Sequence, residues 1–161
     1  MTLQSELGLK KPFRTPGHEA LLSIQYTAAR IKKRGDALFR ALGLTDVQFN
    51  LMMLLKHHAN DDGGLTQVEL SRMMLVNRAN ITSVVDRMER ARLVRRDSVP
   101  GDRRYNVVKL TPRGDGLVEK AEKAYREKID DLMGVVGDSA LRALIKTLNG
   151  VRNHLDEIPA P

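Results

Sequence analysis

The segment RANITSVVDRMER, residues 78–90, spaces Ile81, Val84, Val85 and Met88 at steps of three and four residues, which puts them on one side of an α-helix. At about 3.6 residues per turn the opposite side carries Arg78, Asn80, Thr82, Ser83 and Arg87. These side chains can read duplex DNA: Arg bonds guanine bidentately, Asn does the same with adenine, and Thr can touch the thymine methyl. An ordinary solvated helix face favours Glu and Lys, and this face has few of them. A second cluster follows at Gly101-Asp102-Arg103-Arg104-Tyr105. Adjacent arginines at a hairpin tip repel each other unless something negative is near. Asp102 can hold one of them, and a phosphate or the negative potential of a narrow minor groove can hold the other. The bland alternatives are a polar solvent face and an ordinary basic turn.

The elements that must position these residues are legible from caps and breaks. Thr66-Gln67-Val68-Glu69 is a capping box, stapled by Leu65 and Leu70, and begins a short helix that ends near Met74. Leu75-Val76-Asn77 then leads into the helix of residues 78–90 with Asn77 as its cap. Two short helices at that spacing form a helix-turn-helix. Free amides at Thr66-Gln67 could grip a phosphate, although a plain cap explains the same residues. Residues 93–99 and 106–110 read as strands, Val107 and Val108 favouring β structure, with a turn at Pro100-Gly101-Asp102. A helix-turn-helix followed by a basic hairpin is a winged helix.

Helices flank this unit on both sides. Thr15 and Pro16 start one whose stripe runs through Leu21, Ile24, Ala28, Ile31, Leu38, Phe39 and Leu42 to a closing Gly43. Thr45 and Gln48 form another capping box, stapled by Leu44 and Phe49, and that helix runs to Lys56 or His58 before a break at Asn60-Asp61-Asp62-Gly63-Gly64. Thr111 and Pro112 start a long charged helix to about Met133, and Asp138 or Ser139 caps a last one bearing Leu141, Leu144, Ile145 and Leu148. Residues 1–14 read as an unpatterned arm. The fold class is mainly α with a small β-hairpin wing.

Charge supports the same reading. The chain has 161 residues and a net charge of +7, and residues 65–114 alone hold eleven Arg and Lys against five Asp and Glu. Nearly all the excess positive charge thus sits in one third of the chain, the footprint of a polyanion binder. There is no cysteine, which removes disulfides, thiol nucleophiles and thiolate zinc sites. The N-terminal MTLQSELGLKKPFRTPG has no apolar leader, and no run approaches the ~18 apolar residues of a membrane span. A cytoplasmic protein with no membrane partner is expected. No nucleophile–base set, paired carboxylates or phosphate loop has the spacing for catalysis, and no cofactor is expected. His57 and His58 are adjacent, so on a helix they point about 100° apart. They read, with His18 and His154, as surface histidines rather than metal ligands. Met52, Met53, Met73, Met74 and Met88 read as core, the alternative being an adaptable pocket.

The ordered series LTDVQ at 44–48, LTQVEL at 65–70, ITSVVDRMER at 81–90, LVRR at 93–96, DRR at 102–104 and LTPRG at 110–114 resembles the MarR family of bacterial regulators. The resemblance implies a homodimer whose N- and C-terminal helices interlock. Residues 1–43 would then supply an arm and a dimerisation helix, 44–111 the winged helix, and 112–161 further dimerisation helices. It implies that Asp102 orients a wing arginine, that Arg104 enters the minor groove, and that small phenolic or lipophilic effectors loosen binding to double-stranded DNA in many members. It favours repression over activation. The rival readings are a sequence-indifferent architectural DNA-binding protein and a winged-helix protein-interaction module. One departure stands out: the family pattern has glycine after the recognition helix, where this chain has Arg92. Either Arg92 accepts a left-handed backbone, at about 1 kcal/mol, or the helix exits differently.

Overall fold

Side-chain caps set the helix starts that the sequence predicts at Thr15, Thr45, Thr66, Asn77 and Thr111. A computed structural model describes residues 2–60, 63–99 and 102–159, and the side chains of all of these except 99 and 102–105. The predicted turn residues Pro100 and Gly101, and Asp61 and Asp62 of the predicted break, lie outside the described residues. The elements in chain order are α1 (Leu3–Glu6), α2 (Pro16–Ala41), α3 (Asp46–His57), β1 (Leu65–Thr66), α4 (Gln67–Met73), α5 (Arg78–Arg90), β2 (Val94–Val99), β3 (Asp102–Leu110), α6 (Pro112–Met133) and α7 (Asp138–Glu157). Capping boxes are complete at Thr45/Gln48 and at Thr66/Glu69. Thr15 accepts from the His18 amide, and Asn77 Oδ1 accepts from the Asn80 amide at 2.9 Å.

Four expectations change. Residues 1–14 are not wholly unpatterned: Thr2 caps the one-turn α1, and Glu6 pairs with Arg30 of α2 at 2.5 Å. Helix α7 has Gly137 at its N-cap with no side-chain cap bond, in place of Asp138 or Ser139. The wing is a three-stranded antiparallel sheet in the order β1-β3-β2. Leu65 and Thr66, read from sequence only as a staple and a cap, also pair with Val108 and Val107. Strand β3 begins at Asp102 rather than at 106, and a register shift between Ser98 and Val99 brings Val99 opposite Asp102. Main-chain pairing carries no side-chain preference, so it extends past the β-favouring residues that mark the strand in the sequence.

The structure divides into two compact units, Met1–Glu122 and Lys123–Pro161. The core of the first is built from Phe39, Phe49, Leu51, Met52, Leu70, Ile81, Val85, Met88, Val94, Val108 and Val118, all nearly or fully inaccessible. Phe39 of α2 and Phe49 of α3 stack with ring centroids 4.3 Å apart. Of the predicted core methionines, Met52 and Met88 are buried, Met53 and Met74 pack against the core, and Met73 is exposed. In the second unit α7 buries no residue, and Ile145 and Leu155 are 57% and 62% exposed. No single helix among the described residues is long and apolar enough to cross a membrane.

Helix exits carry more information than their sequences suggest. Gly43 closes α2 at φ +72, its amide bonded to Arg40 O and that of Leu44 to Phe39 O, a Schellman motif. Helix α5 ends the same way with Arg92 in the glycine position: φ is +58, the Arg92 amide donates to Glu89 O, and the Leu93 amide donates to Met88 O. Arg92 therefore accepts the left-handed backbone. The exit aims the Arg92 and Leu93 carbonyls at the start of α6, where Thr111 Oγ1 donates to Arg92 O at 2.7 Å and the Thr111 amide donates to Leu93 O at 3.1 Å. The same hydroxyl accepts from the Gly114 amide at 3.0 Å. A Cβ at position 114 would stand 1.9 Å from Leu93 O, so only glycine fits there.

Two substitutions should therefore move stability in opposite directions. Gly114→Ala should destabilise by about 3 kcal/mol, as overpacking against rigid backbone does. Arg92→Gly should stabilise by up to about 1 kcal/mol as the left-handed strain is relieved. Denaturant midpoints of the two variants measure both effects.

Candidate nucleic-acid interface

The two faces of α5 separate as its periodicity requires. Ile81, Val84, Val85 and Met88 are buried, while Arg78, Asn80, Thr82, Ser83 and Arg87 are all exposed. The five predicted reading residues of this helix therefore share its outer face. Asp102, Arg103 and Arg104 have their backbone in β3, and their side chains lie outside the described residues.

Ion pairs sort the cations of the basic segment into two groups. Arg96 of β2 reaches back to α5, where it pairs with Asp86 at 2.5 Å and with Glu89, while its backbone amide donates to Glu89 at 3.1 Å. Burial pulls the Arg96 guanidinium down, but the hydrogen bonds to Asp86 and Glu89 outweigh it and hold the group above its usual range. Arg95 and Lys109 share Asp97 at 3.1 and 3.6 Å. Glu69 is engaged in the α4 cap: the Thr66 amide and the Asn60 side chain bond it and hold its carboxyl below the usual range. The acids at 69, 86, 89 and 97 thus all serve the framework. Arg78, Arg87, Arg90 and Arg92 are exposed and form no ion pair among the described residues. What remains facing outward is positive, as a polyanion surface requires.

The structure adds residues that sequence patterns do not single out. Gln67 and Arg72 of α4 line a groove of about 440 Å³ together with Arg78 of α5 and Asn106 of β3. Gln67 is legible in the sequence only as a helix-start residue and Asn106 only as a strand residue. What groups them is the crossing of α4 and α5 beside the sheet. Thr82 Oγ1 lies 2.7 Å from Gln67 Oε1, so a predicted reading residue is already bonded to the neighbouring helix. Two histidines lie against carboxylates: His57 Nε2 is 3.2 Å from Glu122 and His154 Nδ1 is 3.3 Å from Glu157.

A model of the MarR family matches residues 42–104. The segment belongs to the MarR family. Over a longer span the chain is 26% identical across 133 residues to the HTH-type transcriptional regulator YsmB of Bacillus subtilis, covering 83% of this chain and 88% of that one. The crystal structure of AbsC, a MarR-family transcriptional regulator from Streptomyces coelicolor, covers 92% of this chain and all of its own with a TM-score of 0.79 at 19% identity. The MepR–DNA complex of S. aureus covers 83% of this chain and 96% of that one with a TM-score of 0.74 at 19% identity. The MarR-type fold thus extends beyond the matched segment into the flanking helices. Arg92, the departure from the glycine pattern, takes the left-handed conformation that glycine favours.

The Arg96 clamp fixes the wing against the recognition helix of this MarR-type unit. Arg96→Met should cost about 1–2 kcal/mol of stability, the partners being half-exposed. It should also weaken duplex binding, because Asp86 and Glu89 are left uncompensated on α5. Urea denaturation and a DNA titration on the same variant measure the two losses.

Proposed function

We propose that this MarR-family regulator acts as a homodimer that binds a pseudo-palindromic DNA site, represses by occupying a promoter, and lets go when a small phenolic or lipophilic effector binds. The observation that carries the DNA reading is the outer face of α5, where every predicted reading residue is exposed and the arginines have no acidic partner among the described residues. A relative of this fold has been solved bound to DNA. Each α5 would lie in a major groove, and the two copies would stand about 34 Å apart, one duplex turn. Arg103 and Arg104 would add minor-groove contacts.

The dimer reading rests on apolar surface that the single chain leaves open. Helix α7 exposes Leu144, Ile145, Val151 and Leu155, and α2 exposes Leu21, Ile24 and Ile31. Amphipathic helices with uncovered stripes are what an obligate partner covers. On this reading residues 1–43 and 112–161 supply the dimer helices and 44–111 reads the DNA. An effector lodged between the dimer helices and the winged helix would alter the spacing of the two recognition helices and so release the site.

Selection of bound sequences from random duplex DNA, with and without candidate phenols, tests the proposal. An inverted repeat with arms one turn apart is the expected outcome. Binding without enrichment at matched salt would mean an architectural protein, and no salt-dependent duplex binding would mean a protein-interaction module. Two variants refine the result. Arg104→Ala should weaken binding and flatten the salt slope by about one unit if it meets a phosphate. Asn80→Ala should change the selected base preference and leave general affinity in place, as a comparison of the two selection profiles would reveal.

A further inference from the structure

Thr82 stands on the reading face of α5, yet its hydroxyl proton is committed within the protein. Oγ1 lies 2.7 Å from Gln67 Oε1 on α4 and 3.1 Å from the carbonyl of Arg78 one turn back. A hydroxyl has a single proton, and both acceptors for it belong to the protein. If the Gln67 amide is turned over, its nitrogen donates to the same oxygen while the proton goes to Arg78 O, so in either orientation the hydroxyl has no proton left to donate to a base. The contact with Gln67 also holds the β-branched side chain in one rotamer. What Thr82 can still offer a base is its methyl group and an acceptor lone pair, and of these only the methyl picks out thymine.

We propose that Thr82 reads a thymine by methyl–methyl contact, and that Gln67 is the positioning residue that makes it do so. This rests on the sequence-specific DNA reading above and gives one position of the site its identity. Of the four bases only thymine presents a C5 methyl in the major groove. A Thr whose hydroxyl were free could bond several base edges, so engagement by Gln67 converts a permissive contact into a selective one. Gln67 acts across the helix-turn-helix, from the first residue of α4 to the second turn of α5. The turn between the helices therefore bears on base choice as well as on the placement of α5.

The test uses the full chain and a selected operator in which the thymines of one half-site are replaced singly by deoxyuridine, which keeps every base-pair hydrogen bond and lacks only the methyl. Wild type should lose affinity roughly three- to fivefold at one thymine, the worth of one buried methyl. Thr82→Val carries a methyl at both Cγ positions and so presents one without the Gln67 bond, and should keep that ratio, whereas Thr82→Ser keeps the hydroxyl and should lose it. Gln67→Glu retains an acceptor for Thr82, so its overall affinity should fall by charge repulsion while the thymine-to-uracil ratio stays. Gln67→Ala should bring the ratio toward one. A selective protein whose binding is indifferent to every such replacement, a Ser variant that keeps the ratio, or an Ala variant at 67 that leaves it unchanged would overturn the inference while sparing the general reading. Loss of sequence selection altogether would overturn both.

Discussion

The carbonyl oxygens of Arg92 and Leu93 both accept from Thr111, and Gly114 is pressed against the second of them. Three parts of the molecule meet at this contact: the exit of the recognition helix, the root of the wing, and the first turn of α6. The contact forms only because Arg92 takes a left-handed backbone, turning the chain so that these carbonyls face Thr111. Strain of about 1 kcal/mol at one residue is offset by hydrogen bonds that join three elements. Val94 then lies opposite Leu110, so both strands of the hairpin leave the same point. The orientation of the wing relative to α5 is inherited from that junction.

Beyond the junction, charge completes the orientation. Arg96 spans from β2 to the two acids of α5, and Asp97 holds Arg95 and Lys109 along the sheet. The Arg96 and Lys109 pairs lie between elements, where partial burial strengthens them. The arginines with no ion pair among the described residues lie outside. A chain with a modest net charge thereby presents a concentrated positive surface, because the acids at 69, 86, 89 and 97 are engaged in internal geometry. Thr82 likewise spends its hydroxyl proton inside the helix-turn-helix.

Much of this architecture is legible in the order of the residues. Capping boxes at Thr45/Gln48 and Thr66/Glu69, the Asn77 cap and the Gly43 closure all rest on bonds between residues three to five apart, and local chemistry is enough to read them. The two faces of α5 follow from helical period alone. The resemblance to MarR regulators, carried by an ordered series of short motifs, agrees with the family that residues 42–104 match. The strand β1, the early start of β3 and the one-turn helix α1 are not legible in the same way. They depend on pairing with distant segments or on a single ion pair, neither of which leaves a periodic trace.

The sequence by itself determined where most helices begin and end, which side chains of α5 must face outward, and that positive charge is concentrated around it, since each of these depends on residue type and near neighbours. Tertiary structure decided which arginines lack an acidic partner among the described residues, that Arg92 takes the role of a glycine, that Gly114 admits no side chain, and that Gln67 holds Thr82. Those outcomes depend on distances between residues far apart in the chain, set by how α4, α5, the sheet and the start of α6 pack, and no spacing along the sequence encodes them.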